Sequence, residues 1–267
     1  MQVKLINFTG MGTPDPSRAA ANLMIFTKQT RLEMNPNLID QIEAWPQSRV
    51  DEELAYMANT IPSSWEFCDY TFLITDVTRA FTHQFVRTRQ GSYAQQTMRV
   101  LDKKGWTYLT GPSIEDDEEW TGVENGGMRE YCPGQYKQLY HDTMATIAAA
   151  YDEMVEGGIK IEDARGVLPT NIHTNIVAKF NLRTLAEMFR KRASGRTQGE
   201  YRDVIEAMKA EVIRVHSWAP MFIDRNFDKA AAELESDLRV LSASGQPLDA
   251  AQLTQLIKLI DQMRMMA

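Results

Sequence analysis

The chain has 267 residues, 43% hydrophobic and 24% charged, with a net charge of -7. That is an ordinary globular composition, which excludes disordered, collagen-like and coiled-coil chains, and the length suffices for a large core in one or two domains. Two cysteines, Cys68 and Cys132, are too few for a disulfide framework and lack metal-ligand spacing, so both read as inert thiols in a reducing compartment. The acidic balance argues against phosphate-backbone binding, so no specific nucleic-acid partner is expected. The opening MQVKLINFTGMG alternates polar and apolar residues, and no apolar run approaches the ~20 residues of a membrane span. A cytoplasmic location without membrane association is the expectation.

Residues 3–8 alternate around Val3 and Leu5, the pattern of a strand running into a turn at Thr9-Gly10-Met11-Gly12. Those glycines match the start of a dinucleotide fingerprint, but Asp15 stands in place of its third glycine, and that reading is set aside. Helical periods cover 16–28 and 47–59, each entered at a proline, the second with Val50, Leu54 and Met57 on one face. The β-branched and aromatic run 70–75 predicts a strand. After it, Asp76 or Thr78 caps a helix carrying Ala80, Phe81, Gln84 and Phe85 and ending near Gly91.

The polar residues 92–99 are expected to form a loop, followed by a strand at 106–109 and a solvated acidic loop over 114–127. Pro133 opens a long helix whose Tyr136, Tyr140, Met144, Ile147 and Tyr151 form a core face, ending at Gly157-Gly158. A short segment over 161–167 stops at Leu168-Pro169. A helical pattern over 176–192 ends before Gly195, and another over 201–216 stops before Pro220. Two further amphipathic patterns, 227–241 and 249–265, are parted by Ser244-Gly245-Gln246-Pro247 and read as a helical hairpin.

Within the acidic chain lie two basic islands, Arg87, Arg89 and Arg99 in one and Arg183, Arg190, Lys191, Arg192, Arg196 and Arg202 in the other. Around Arg87 and Arg89 the sequence is Thr82-His83-Gln84-Phe85-Val86-Arg87-Thr88-Arg89-Gln90-Gly91-Ser92-Tyr93-Ala94-Gln95-Gln96-Thr97-Met98-Arg99. Guanidinium groups bind phosphate oxygens bidentately, and loop hydroxyls and amides add neutral donors, so a phosphorylated ligand is one reading. Arginines capping a helix C-terminus and pairing with surface acids are the other. The spacing by itself serves both equally.

This stretch resembles the signature R-H-R-x-x-S-x-N-x-x-S-x-R of flavin-dependent thymidylate synthases, preceded there by a T-H-Q-x-x-R helix end. The match holds at Thr82, His83, Gln84, Arg87, Arg89, Ser92, Tyr93 and Arg99. Three further segments follow the family in order. Pro62-Ser63-Ser64-Trp65-Glu66 with Thr71-Phe72 is similar to its P-T-P-F-E-H and F-T-F elements. Arg165-Gly166-Val167-Leu168-Pro169-Thr170-Asn171 is similar to A-R-x-x-L-P-x-N. Asn181-Leu182-Arg183-Thr184-Leu185, with Arg192-Ala193, Gln198 and Glu200, is similar to N-x-R-S-L and the segment after it.

The resemblance implies an α+β fold, a central mixed or antiparallel sheet packed with helices. Residues 1–224 would be the catalytic domain and 225–267 a C-terminal helical extension of it. It implies C5 methylation of a pyrimidine deoxynucleotide monophosphate (dUMP to dTMP), with FAD as cofactor and methylenetetrahydrofolate and NADPH as co-substrates, in a homotetramer with shared active sites. Nucleotide contacts are then assigned to Gln84, Arg87, Gln95, Thr97, Arg99, Arg165 and Arg192. Flavin contacts are assigned to Ser63, Arg87, Thr88, Arg89, Asn181, Arg183 and Glu187. Arg192 is the implied catalytic group, polarising the pyrimidine where negative charge develops, in a family that needs no cysteine nucleophile. No metal is implied, and His83, His141, His173 and His216 read as structural.

The sequence departs from the family at Thr88 for His, Ala94 for Asn, Gln95 for Glu, Thr97 for Ser, and Glu187 and Arg196 for Asn and His. Several of these changes bear on one implied pocket, which keeps two other outcomes open. One is a flavin- and folate-dependent 5-hydroxymethylase acting on dUMP or dCMP. The other is an inactive nucleotide- or RNA-binding homologue.

Overall fold

The computed structural model describes residues 1–32, 35–116, 134–192 and 199–224, together with 234, 238, 249, 251–257 and 260. Strands β1 (Gln2–Phe8), β2 (Asp69–Thr78), β3 (Ser92–Gln95) and β4 (His173–Asn181) form one antiparallel sheet in the order β1-β2-β4-β3. Helices α1 (Pro16–Gln29), α2 (Leu38–Glu43), α3 (Gln47–Thr60) and α4 (Pro62–Trp65) lie between the first two strands in sequence. Helices α5 (Arg79–Phe85), α6 (Pro112–Glu115), α7 (Gln135–Glu156), α8 (Ile161–Ala164), α9 (Leu182–Arg192), α10 (Gly199–Val215) and α11 (Pro220–Ile223) follow. The fold class is the α+β arrangement that the sequence implied.

The chain divides into two compact units. The first comprises Met1–Gln2, Ile74–Arg87 and the described residues of Tyr93–Val177; the second comprises Val3–Leu73, Thr88–Ser92 and the described residues from Ala178 on. Strands β2 and β4 each contribute residues to both.

In the first unit, Thr78 caps α5 by accepting from Phe81 N at 3.0 Å. Asp76, the other candidate cap, instead takes a left-handed backbone with φ 56° and donates its N–H to Asn175 Oδ1 at 3.1 Å. Phe81 and Phe85 are fully buried and stack at 4.9 Å, and Tyr93 meets Phe85 edge-on at 5.6 Å while donating its hydroxyl to the Phe85 carbonyl. Fully burying a side chain of this size contributes roughly 2 to 3 kcal/mol. Helix α5 is therefore anchored by its apolar face, and it stops at Phe85, short of the expected end near Gly91.

Three more expectations are corrected in this unit. Residues 92–95, read as loop, are strand β3, and the next residue continues the pairing with Gln96 N donating to Asn175 O at 2.9 Å. Its polar composition hid an alternation in which Tyr93 and Gln95 face inward and Ser92 and Ala94 outward. The strand expected at 106–109 reduces to a single antiparallel bridge between Tyr108 and Ile172. On α7 only Met144 and Tyr151 are buried, so the apolar stripe is not the full core face expected, and Tyr136 is exposed.

In the second unit, Asp15 accepts from Arg18 N and Pro16 occupies the first turn, which fixes the start of α1. Gly10 has φ 89°, and a Cβ there would lie 2.5 Å from the Pro16 carbonyl oxygen, so only glycine permits this close turn. Helix α9 buries Leu182, Leu185, Met188 and Phe189, and it packs on α4, α10 and α11. The helical pattern expected over 176–192 is half wrong. Residues 173–181 alternate as a strand, with Thr174, Ile176, Ala178 and Phe180 buried, and the helix begins only at Leu182. The two periods join at Phe180 and Leu182, which made one helix of them in the sequence.

A buried polar chain closes this unit. His216 Nε2 faces the Thr9 carbonyl at 3.1 Å, and a carbonyl only accepts, so Nε2 carries the proton. Nδ1 then accepts from the Tyr70 hydroxyl at 2.7 Å, and Cys68 donates its thiol to Tyr70 Oη at 3.4 Å. Burial holds His216 down to about 4 and pushes the Cys68 thiol up to about 12. Cys68 is thus an inert core thiol, while Cys132 lies outside the described residues. Most of the expected C-terminal hairpin also lies outside them; residues 251–257 are helical.

Candidate functional site

The residues assigned to the nucleotide, Arg192 excepted, fall on the first unit, and those assigned to the flavin, Arg87 excepted, on the second. In the first unit, Gln84 is exposed on α5, and Arg87 is exposed just beyond its end with no carboxylate within 4 Å among the described residues. Gln95 is half-buried and donates Nε2 to Thr82 Oγ1 at 2.9 Å. Thr97 Oγ1 accepts from Arg99 N at 3.1 Å, which tightens the turn after β3. Glu162 then links the two assigned arginines, with its carboxylate 3.7 Å from Arg99 Nε and its carbonyl accepting from Arg165 Nε at 3.0 Å.

Two cations that the sequence reading missed belong to this group. Arg79, at the start of α5, has a buried Nη1 without a hydrogen-bond acceptor among the described residues. Burial first, and then the Arg165 charge, hold its guanidinium below the usual arginine range. Burial and then Arg79 likewise lower Lys103, whose Nζ lies 3.4 Å from Gln96 Oε1. Arg79, Lys103 and Arg165 therefore form a cluster of mutually repelling cations whose natural complement is an anion. Nothing local in the sequence marks Arg79 or Lys103, because they lie 24 residues apart and meet only through the fold.

In the second unit, Ser63 on α4 accepts from Arg31 Nη2. Half-buried Thr88 points its hydroxyl at Met188 Sδ, 3.9 Å away. Arg89 is exposed and has no carboxylate within 4 Å among the described residues. Asn181 Oδ1 caps α9 by accepting from Thr184 N at 2.8 Å. Arg183 lies between Glu66, at 2.7 Å, and Glu187, at 3.7 Å, and Glu187 also reaches Lys191 at 3.6 Å. At the other end of α9, the Arg192 guanidinium sits 4.8 Å above the Tyr201 ring. Ala193, Arg196 and Gln198 lie outside the described residues.

The family model described as thymidylate synthase complementing protein matches residues 6–220. The flavin-dependent thymidylate synthase of Clostridium tetani is 28% identical over 225 residues, covering 80% of this chain and 83% of the relative. That of Sulfurisphaera tokodaii is 30% identical over 219 residues, covering 81% and 75%. The chain belongs to the flavin-dependent thymidylate synthase family. A third member, from Sulfolobus acidocaldarius, is 33% identical over 179 residues, covering 66% of this chain and 59% of its own. This is a family of enzymes, and the ordered motifs from Ser63 to Arg192 fall inside the matched span. Among the described residues no helix is long and apolar enough to cross a membrane, and no three His, Cys, Asp or Glu side chains are grouped to hold a metal ion.

Proposed function

We propose that this enzyme transfers a one-carbon unit from methylenetetrahydrofolate to C5 of a pyrimidine deoxynucleotide monophosphate, converting dUMP to dTMP with FAD as cofactor and NADPH as reductant. The observation that carries the reading is the cation cluster of Arg79, Lys103 and Arg165, in which the buried Arg79 Nη1 has no acceptor among the described residues. A phosphate monoester offsets that repulsion and supplies the missing acceptor; one charge-assisted hydrogen bond contributes about 1.5 to 3 kcal/mol. Arg99, Gln95, Thr97 and Gln84 hold the rest of the nucleotide, and residues 1–224 carry the activity, with 225–267 as an extension.

The donors of the second unit fit a flavin nucleotide. Arg89 offers an exposed guanidinium not neutralised by any described carboxylate, Ser63 and Thr88 offer hydroxyls, and Asn181 keeps its amide NH2 free of the cap bond that its Oδ1 makes. Arg183, moderated by its two carboxylates, and the acceptor Glu187 complete this unit's set, and Arg87 is the flavin contact assigned on the first unit. The bound flavin supplies hydride equivalents. Arg192 places its positive charge where negative charge builds on the pyrimidine carbonyl as C5 becomes nucleophilic, which lowers the barrier without a thiol adduct. The active assembly is a homotetramer with shared sites, and the location is cytoplasmic.

The test is to purify the protein, record its visible spectrum with and without added FAD, supply methylenetetrahydrofolate, NADPH and either dUMP or dCMP, and weigh the product. A methylated uracil nucleotide is expected. A 5-hydroxymethyl product selects the hydroxymethylase reading, which the departures at Thr88, Ala94 and Gln95 keep open. Absence of flavin binding and of turnover overturns both enzyme readings in favour of a silent nucleotide- or RNA-binding homologue.

A further inference from the structure

Arg192 is held over an aromatic ring, as Arg49 is over Trp45, and not by a carboxylate as Arg183 and Arg214 are. Arg183 is fixed by two carboxylates and Arg214 by Glu211, each of which takes up N–H donors and neutralises charge. Arg192 has no carboxylate within 4 Å among the described residues, and its guanidinium carbon lies 4.8 Å from the centre of the Tyr201 ring. Tyr201 is fully buried in the first turn of α10, on the same face as Val204, Ile205 and Met208, so the ring is a fixed platform. Helices α9 and α10 pack together, which brings the last turn of one over the first turn of the other.

A guanidinium over an aromatic face is attracted by the ring quadrupole, which carries no net charge. No described carboxylate takes up its N–H donors, and the full positive charge persists. A carboxylate in the same place would orient the group equally well, but it would cancel the charge that Arg192 needs. The geometry points to Tyr201 as a positioning residue that orients Arg192 without neutralising it. This inference rests on the reading of Arg192 as the catalytic cation. The cationic end group of α9 also lies at the negative pole of its helix, which favours it further.

The test replaces Tyr201 by Phe, by progressively fluorinated phenylalanines and by Leu, with Arg192→Ala in parallel, and measures kcat and KM for dUMP in the product assay. The fluorinated rings keep the shape of phenylalanine and drain negative charge from its face, so the core stays filled throughout. Tyr201→Phe is expected to stay within about twofold of wild type. The logarithm of kcat should fall steadily with fluorination, and Tyr201→Leu should lower kcat about fivefold to thirtyfold with KM within about twofold, as for an interaction felt mainly in the transition state. Arg192→Ala should abolish turnover. A flat kcat across the fluorinated series with an inactive Arg192→Ala overturns the role of Tyr201 alone. Full activity in Arg192→Ala, or no turnover by the wild type, overturns the functional reading and this inference with it.

Discussion

Thr82 fixes which way the Gln95 amide points. The Thr82 hydroxyl has one proton and donates it to the Arg79 carbonyl at 3.0 Å, so toward Gln95 it can only accept, and Nε2 fills that place at 2.9 Å. With Nε2 turned to Thr82, the amide oxygen points away from that bond, and Gln95 is expected to present it to the nucleotide. Thr82→Val removes the acceptor and frees the amide to turn, and should weaken dUMP binding about threefold to tenfold, as for a lost neutral hydrogen bond. Thr82→Ser, which keeps the hydroxyl, should bind as the wild type does. Titration calorimetry of the three proteins decides; equal affinities for Val and Ser would show that the amide needs no such anchor.

Arg79 is expected to trade stability for binding. Its guanidinium is partly buried beside Arg165, and its Nη1 lacks an acceptor among the described residues. Arg79→Gln removes a repelled cation, so the unliganded protein should melt at the same temperature or higher. Its affinity for dUMP should fall at least about tenfold, because one charge-assisted contact to phosphate is gone. Thermal melts with and without nucleotide test both halves. A lowered melting temperature with unchanged nucleotide affinity would mean that Arg79 is structural.

His216 gives the fold an acid limit. The folded imidazole sits at about 4, below the ordinary 6.5, because burial penalises its charged form. Above pH 6.5 both folded and unfolded chains hold it neutral and its contribution is fully present. Between pH 6.5 and 4 only the unfolded chain takes up the proton, and stability on the order of 3 kcal/mol is lost progressively. Protonation also turns Nδ1 into a donor facing the Tyr70 hydroxyl that now donates to it. Urea denaturation from pH 7 to 4 should show this loss, and a His216→Gln variant should show a flatter profile. Identical pH slopes in the two proteins would exclude His216 as the source.

The strands and helices most legible in the sequence carry one clean period and an explicit start signal. Helix α1 has Asp15 and Pro16 at its entry, and α3 has its Val50, Leu54 and Met57 face. Legibility failed where periods meet or where polarity disguises alternation. Strand β4 runs directly into α9 through Asn181, and β3 is polar because its exposed positions are Ser92 and Ala94 and its inward ones are Tyr93 and Gln95.

What the sequence determined by itself is the family, because its motifs run in order along the chain; the residues expected at each ligand follow from that resemblance and not from their spacing. What only the tertiary structure decided is how those residues are held. Arg79 and Lys103 join Arg165 through the packing of α5 against distant segments, Thr82 turns Gln95, and Tyr201 carries Arg192 on its ring face. The reason is physical: charge repulsion, hydrogen-bond direction and ring stacking depend on distances of a few ångströms between side chains that the chain order leaves far apart.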